Sequence, residues 1–208
     1  MKEITIFSEK IYEFEFEDHF KYQSKLVNLI KSGQIDNNNN HKMKNKLVYS
    51  RPDLHTLDEF QPVAQFMESC IKETMFAMGY VPNIKINSMW STYQKHNQFH
   101  HYHTHVNTFL AAVYYLYCKN PKLAKGTIFH NTNYPKYSSI TPKLNRQVNR
   151  VTQSKYELDF VPGKVYIFPA CIPHMTAPNE DEERIILGMN SMPLGIADDD
   201  QFDKYEYQ

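Results

Sequence analysis

Four histidines stand within six residues in the run His100-His101-Tyr102-His103-Thr104-His105. In an extended strand, residues i and i+2 face the same side with Cα atoms about 6.6 Å apart, from a rise of about 3.3 Å per residue. Two imidazoles so placed can converge on one metal ion through bonds of about 2.0–2.1 Å. His101, His103 and His105 share one parity, so two such pairs are open, 101/103 and 103/105. A third ligand must come from elsewhere, and His174, just beyond Phe168-Pro169, is the candidate. Ten residues later Arg184 opens the apolar run Ile185-Ile186-Leu187, which reads as a buried strand. A buried guanidinium without an anion is costly. Its fork suits a carboxylate, either on a ligand or on one of the acidic residues 180–183.

The elements that must position these groups divide at about residue 80. Upstream the pattern is helical. Phe16, Phe20, Leu26, Val27, Leu29 and Ile30 fit one helix face, stopped by Ser32-Gly33, and a second helix is expected from a capping box at Thr56-Leu57-Asp58-Glu59 to Gly79. Downstream, short runs rich in β-branched and aromatic residues predict strands over 84–90, 98–105, 109–117, 126–130, 156–160, 164–168 and 184–191. Short strands separated by Pro, Gly and Asn indicate a β-sandwich or jelly roll. The Asn-rich run 36–40 and the stretch 131–155 read as loops, and a loop as long as the second is functional or disordered. The expected organisation is an accessory helical segment 1–80, a core 81–195 and an acidic tail 196–208.

Composition narrows the classes. With 41% hydrophobic and 14% aromatic residues the chain is globular, and 23 basic residues against 23 acidic ones exclude a generally basic nucleic-acid binder. No nucleic-acid-binding signature occurs. No apolar run reaches the roughly 18 residues of a membrane span. The acidic start without an apolar secretory segment predicts a cytoplasmic protein. Cys70, Cys118 and Cys171, odd in number and far apart, argue against a disulfide framework. The neutral total conceals an asymmetry. No Asp or Glu occurs between Thr74 and Tyr156, where ten Lys and Arg residues give +10, balanced by −10 elsewhere. Either the acidic ends cover a basic sheet, or the middle receives an anionic ligand.

The run from Gln98 through the histidines and Val106-Asn107-Thr108-Phe109-Leu110 to Val113-Tyr114-Tyr115-Leu116 resembles the first metal motif of the 2-oxoglutarate- and iron(II)-dependent oxygenases. It is most similar to a branch found in bacteria and marine phages. The block Gly163, Phe168-Pro169, His174, Arg184, Asn190 is similar to that branch's second motif. The resemblance, over about residues 84–192, implies a double-stranded β-helix (jelly roll) with the N-terminal helices packed on it, an α+β chain. It implies Fe(II) held by His103, His105 and His174, with His101 as the alternative ligand. It further implies that Arg184 binds the distal carboxylate of 2-oxoglutarate, assisted by Tyr93, Tyr115 and Asn107. Cosubstrate and O2 would yield succinate and carbon dioxide while a substrate is hydroxylated. The location implied is the cytoplasm of a bacterium or of a phage-infected cell.

Three positions depart from the pattern. His105 stands where most relatives have Asp or Glu, Val106 where the branch has Pro, and Ile186 where many relatives have Ser. Substrate and oligomeric state stay open, an anionic substrate and a homodimer among the expectations. Two other readings remain at this stage: a cupin-like three-histidine oxygenase that does not use 2-oxoglutarate, and a non-catalytic jelly-roll binding module.

Overall fold

A computed structural model of the chain describes residues 9–37, 47–132, 153–197 and 205–207. The Asn run beyond residue 37, most of the basic loop and residues 198–204 lie outside the described residues.

Thirteen elements follow in order: β1 (Tyr12–Glu15), α1 (His19–Lys31), β2 (Val48–Tyr49), α2 (Gln61–Ala77), β3 (Ile84–Lys95), β4 (Leu110–Cys118), β5 (Lys125–His130), β6 (Lys155–Asp159), β7 (Lys164–Pro169), β8 (His174–Thr176), β9 (Glu183–Pro193), β10 (Gly195–Ala197) and β11 (Tyr205–Tyr207). Six strands form one antiparallel sheet in the order β1-β7-β4-β9-β3-β2. A smaller sheet, β6-β5-β8, faces it. This is the two-sheet jelly roll of a double-stranded β-helix.

Strand alternation sorts the core into two layers. On β9, Ile185, Leu187 and Met189 join Leu26, Val27, Ile30, Val63, Met67 and Ile71 of the helices. On the opposite face, Ile186 joins Ala111, Val113, Tyr115, Phe129, Phe160 and Phe168 between the sheets. On β3 the alternation changes parity. Ile84 and Ile86 face the helices, the register shifts between Ile86 and Ser88, and from there the odd residues, Met89 first, take that side. Trp90, Thr92 and Gln94 are thereby turned to the inter-sheet side.

The structure corrects several expectations. The first 80 residues are not purely helical, because β1 and β2 are edge strands of the main sheet. Phe20 is largely exposed rather than on the buried face of α1. The second helix starts at Gln61 with Pro62 in its first turn, a position where a missing N–H costs nothing. Before it run two short 3-10 turns, and the Thr56 hydroxyl bonds the Asp53 carbonyl instead of capping. Residues 98–105 are irregular, with one bridge at His103, flanked by left-handed Asn97 and Asn107. The three cysteines are free. Among the described residues no helix is long and apolar enough to cross a membrane.

Candidate metal centre

The three histidines come together through backbone pairing. His103 N–H bonds the His174 carbonyl at 2.9 Å, His174 N–H returns the bond at 3.0 Å, and His105 N–H bonds the Ala170 carbonyl at 3.0 Å. The irregular histidine segment is thus laid against β8 and the turn before it. One ligand nitrogen from each of His103, His105 and His174 falls within 4.8 Å of the others. The Nε2 atoms of His105 and His174 are 3.2 Å apart. Two nitrogens bound at about 2.1 Å and meeting at a right angle would be about 3.0 Å apart, so the separation suits adjacent ligands of one ion.

The remaining ring nitrogens are anchored. His103 Nδ1 lies 2.7 Å from the His101 carbonyl oxygen, and His174 Nδ1 lies 2.9 Å from that of Ile172. Each contact puts the proton on Nδ1 and leaves Nε2 bare toward the cluster. Burial, and after it the His103 imidazole, push His105 down to about 4. Burial pushes His174 down to about 3, against the opposing pull of the Ile172 carbonyl. His103 is lowered as well, again mainly by burial. All three are neutral near pH 7, the form that ligates a metal. The donor set fits a divalent transition metal.

His101, the alternative ligand, is not part of the cluster; it is exposed and its ring packs edge-on against Phe99. The even alternation that would have aimed it inward does not exist outside a strand. His100 takes an inward place instead, stacked on His103 at 4.2 Å between ring centroids. The cavity beside the histidines is lined also by Trp90, Thr92, Val113, Thr127, Thr176, Ile186 and Gly188. Of these, Trp90, Thr92 and the threonines of β5 and β8 escaped the sequence reading.

Arg184 is fully buried. Its Nε donates to Gln94 Oε1 at 2.6 Å, and its other nitrogens donate to the Lys125 and Ala177 carbonyls. Burial pushes its pKa down to about 10. No ion pair among the described residues includes it: Glu183 takes Lys31, and Glu182 takes Lys119. The acidic neighbours 180–183 therefore leave its charge uncompensated. Tyr115, also buried, lies close enough to interact with it electrostatically. The Tyr115 hydroxyl accepts the Thr127 N–H at 2.7 Å and donates to Thr127 Oγ1 at 3.0 Å.

Tyr93 and Asn107 do not reach the site. The β3 bulge turns Tyr93 to the helix side, where its hydroxyl donates to Glu183 Oε2 at 2.5 Å. Without the bulge, the parity of Ile84 and Ile86 would have aimed it inward. Asn107 is exposed with φ 52°, which makes it a turn residue.

The fold has many relatives of known structure. A Pseudomonas putida prolyl-4-hydroxylase superposes with a TM-score of 0.58 at 12% identity, covering 88% of this chain and 92% of that one. The viral collagen prolyl hydroxylase of Paramecium Bursaria Chlorella virus-1, in its 2-oxoglutarate complex, gives 0.56 at 9% identity, with 88% and 96% covered. The epimerase SnoN of nogalamycin biosynthesis, in complex with Fe3+ and alpha ketoglutarate, gives 0.61 at 11% identity, with 89% and 79% covered. No curated protein sequence matches. The sequence profile of the family described as "Putative 2OG-Fe(II) oxygenase" matches residues 88–190, from within β3 to within β9. The chain therefore belongs to the 2-oxoglutarate- and Fe(II)-dependent oxygenases, enzymes that use Fe(II) and 2-oxoglutarate.

Proposed function

We propose that this oxygenase hydroxylates an anionic substrate, with Fe(II) held by His103, His105 and His174 and the distal carboxylate of 2-oxoglutarate held by Arg184. The observation that carries the reading is the meeting of three neutral imidazoles, from two separate segments, within 4.8 Å. The bound iron and cosubstrate supply O2 activation coupled to decarboxylation, which gives succinate and carbon dioxide. The protein's part is to orient and to keep the site dry. The paired segments 98–105 and 170–179 fix the imidazoles. Arg184, prealigned by Gln94 and two carbonyls, keeps donors for a diacid in a region where it has no carboxylate partner. Tyr115 supports that region through Thr127. Residues 1–80 serve as support for the core.

Charge favours an anion. Three neutral ligands leave the ion its full +2, Arg184 adds +1 and the cosubstrate brings −2, so the loaded site is positive. A carboxylate ligand would have made it neutral. No Asp or Glu is among the residues lining the cavity. The neighbouring structures include hydroxylases and an epimerase, and the fold by itself does not choose between those reactions.

The test is an anaerobic titration of the Fe(II)-loaded protein with 2-oxoglutarate, followed by succinate formation in air. Binding that is lost in His103→Ala and His174→Ala and weakened in Arg184→Ala supports the proposal. No 2-oxoglutarate binding, or oxygen uptake that ignores 2-oxoglutarate, refutes it.

A further inference from the structure

A neutral imidazole ligates through one bare nitrogen, so its proton must sit on the other, and a hydrogen-bond acceptor there fixes ring and tautomer together. His103 and His174 obtain that acceptor from the same local device, the carbonyl two residues upstream, His101 and Ile172. For His105 the equivalent carbonyl is that of His103. It accepts the His174 N–H in the bridge that closes the site, and among the described residues the His105 ring makes its one hydrogen-bond contact with the His174 ring instead. The third histidine therefore needs a different partner.

Asn190 occupies the right place. It lies on β9 at the inter-sheet parity of Ile186 and Gly188, opposite Ala111 of β4, whose small side chain leaves room. From there its side chain acts on the His105 ring, favouring the protonated imidazole, though no hydrogen bond joins the two as they stand. Its Oδ1 is buried and accepts no hydrogen bond from the protein, an atom that ordinarily finds a partner. We infer that Asn190 is the positioning residue of His105, its Oδ1 accepting the Nδ1 proton and so holding Nε2 on the metal. The inference rests on the metal centre proposed above. It ties Asn190 to the departure at position 105, because an aspartate ligand carries no proton and has no tautomer to fix.

Co(II) titration of the metal-stripped protein tests it, with thermal melting of the metal-free forms as the control for folding. Asn190→Ala should bind Co(II) about 10- to 100-fold more weakly, with an altered Co(II) absorption spectrum and an unchanged metal-free melting temperature. Asn190→Asp, which keeps the acceptor, should bind at least as tightly as wild type. In a His105→Asp background, Asn190→Ala should cost nothing further. Wild-type affinity in Asn190→Ala overturns the inference, and so does an equal loss in both backgrounds, which would mark a merely structural role. Absence of Co(II) uptake by the wild type would overturn the metal centre itself, and is thereby distinguished from failure of the asparagine's role.

Discussion

Gly188 and Trp90 face each other across β9 and β3 at the wall of the metal site, and Gly188→Ala is the sharpest probe of that wall. A Cβ at 188 would stand 2.6 Å from Trp90 Cζ2, 2.7 Å from Cε2 and 3.1 Å from Nε1. Carbon atoms in favourable contact are about 3.5–4.0 Å apart, so the indole must withdraw by about 1 Å. Overpacking in a fixed core costs about 1–3 kcal/mol. Trp90 is only half-buried and can yield toward solvent, which points to the lower half of that range, about 1–2 kcal/mol. For a chain of this size that is a drop in Tm of about 2–8 °C. Trp90 is the sole tryptophan, so intrinsic fluorescence reports the displacement directly. The ring now lies 6.2 Å from that of His105, so the variant should also emit at longer wavelength and respond less to metal. In a Trp90→Leu background the alanine should cost almost nothing, a coupling that a double-mutant cycle measures. Wild-type Tm together with wild-type emission in Gly188→Ala would refute the packing argument.

Three further outcomes are expected. Arg184→Met removes an uncompensated buried charge but strands Gln94 Oε1 and two carbonyls; these effects oppose, so Tm without cosubstrate should change little, whereas 2-oxoglutarate should raise Tm by mass action in wild type and not in the variant. Tyr115→Phe leaves a buried Thr127 N–H unpartnered, a loss of about 1–3 kcal/mol that chemical denaturation would detect, while Tyr93→Phe, on the other face, should leave 2-oxoglutarate affinity unaltered in the same titration. The metal-free protein should be acid-labile: burial depresses His100 and His174 to about 3 and His105 to about 4, against about 6.5 in the unfolded chain. Their stabilising contribution is thus complete above pH 6.5 and is lost progressively as pH falls from there to about 3, because the unfolded state takes up protons first. A Tm that is flat between pH 7 and 4.5 would contradict it.

How much of this was legible in the residues follows from how local each signal is. The central strands β4, β7 and β9 announce themselves through continuous apolar runs, and the pairing of His-x-His with a distant His and Arg was readable from motif spacing. Parity arguments failed where the backbone leaves the ideal strand. Residues 98–105 pair with residues 170–179 through scattered bonds rather than a ladder, so His101 turns out and His100 turns in. The bulge in β3 reverses Tyr93 for want of any glycine or proline to mark it. β1 and β2 were missed because four- and two-residue edge strands owe their conformation to the partners β7 and β3, which local sequence does not encode. The charge asymmetry is resolved partly by the first of its two readings, since Lys119 of the basic middle pairs with Glu182 of the acidic part beyond it.

The site's precision has a backbone origin. The same hydrogen bonds that dock segment 98–105 onto β8 orient the ligands, since the His103–His174 bridge carries one histidine on each side. Loosening that bridge would separate two ligands at once, while a side-chain change at His105 alone would leave the other two in place. Iron affinity should therefore respond more steeply to backbone changes at Thr104 or Pro173 than their distance from the pocket wall suggests. Pro173→Gly is the direct case. It relaxes the residue between Ile172, whose carbonyl anchors His174 Nδ1, and His174 itself. Gly in place of Pro costs about 0.4–1 kcal/mol through the unfolded chain alone. An affinity loss for Co(II) larger than about fivefold, the equivalent of 1 kcal/mol, would show that the turn also orders the metal site. A smaller loss would assign the ordering to side-chain packing around the rings.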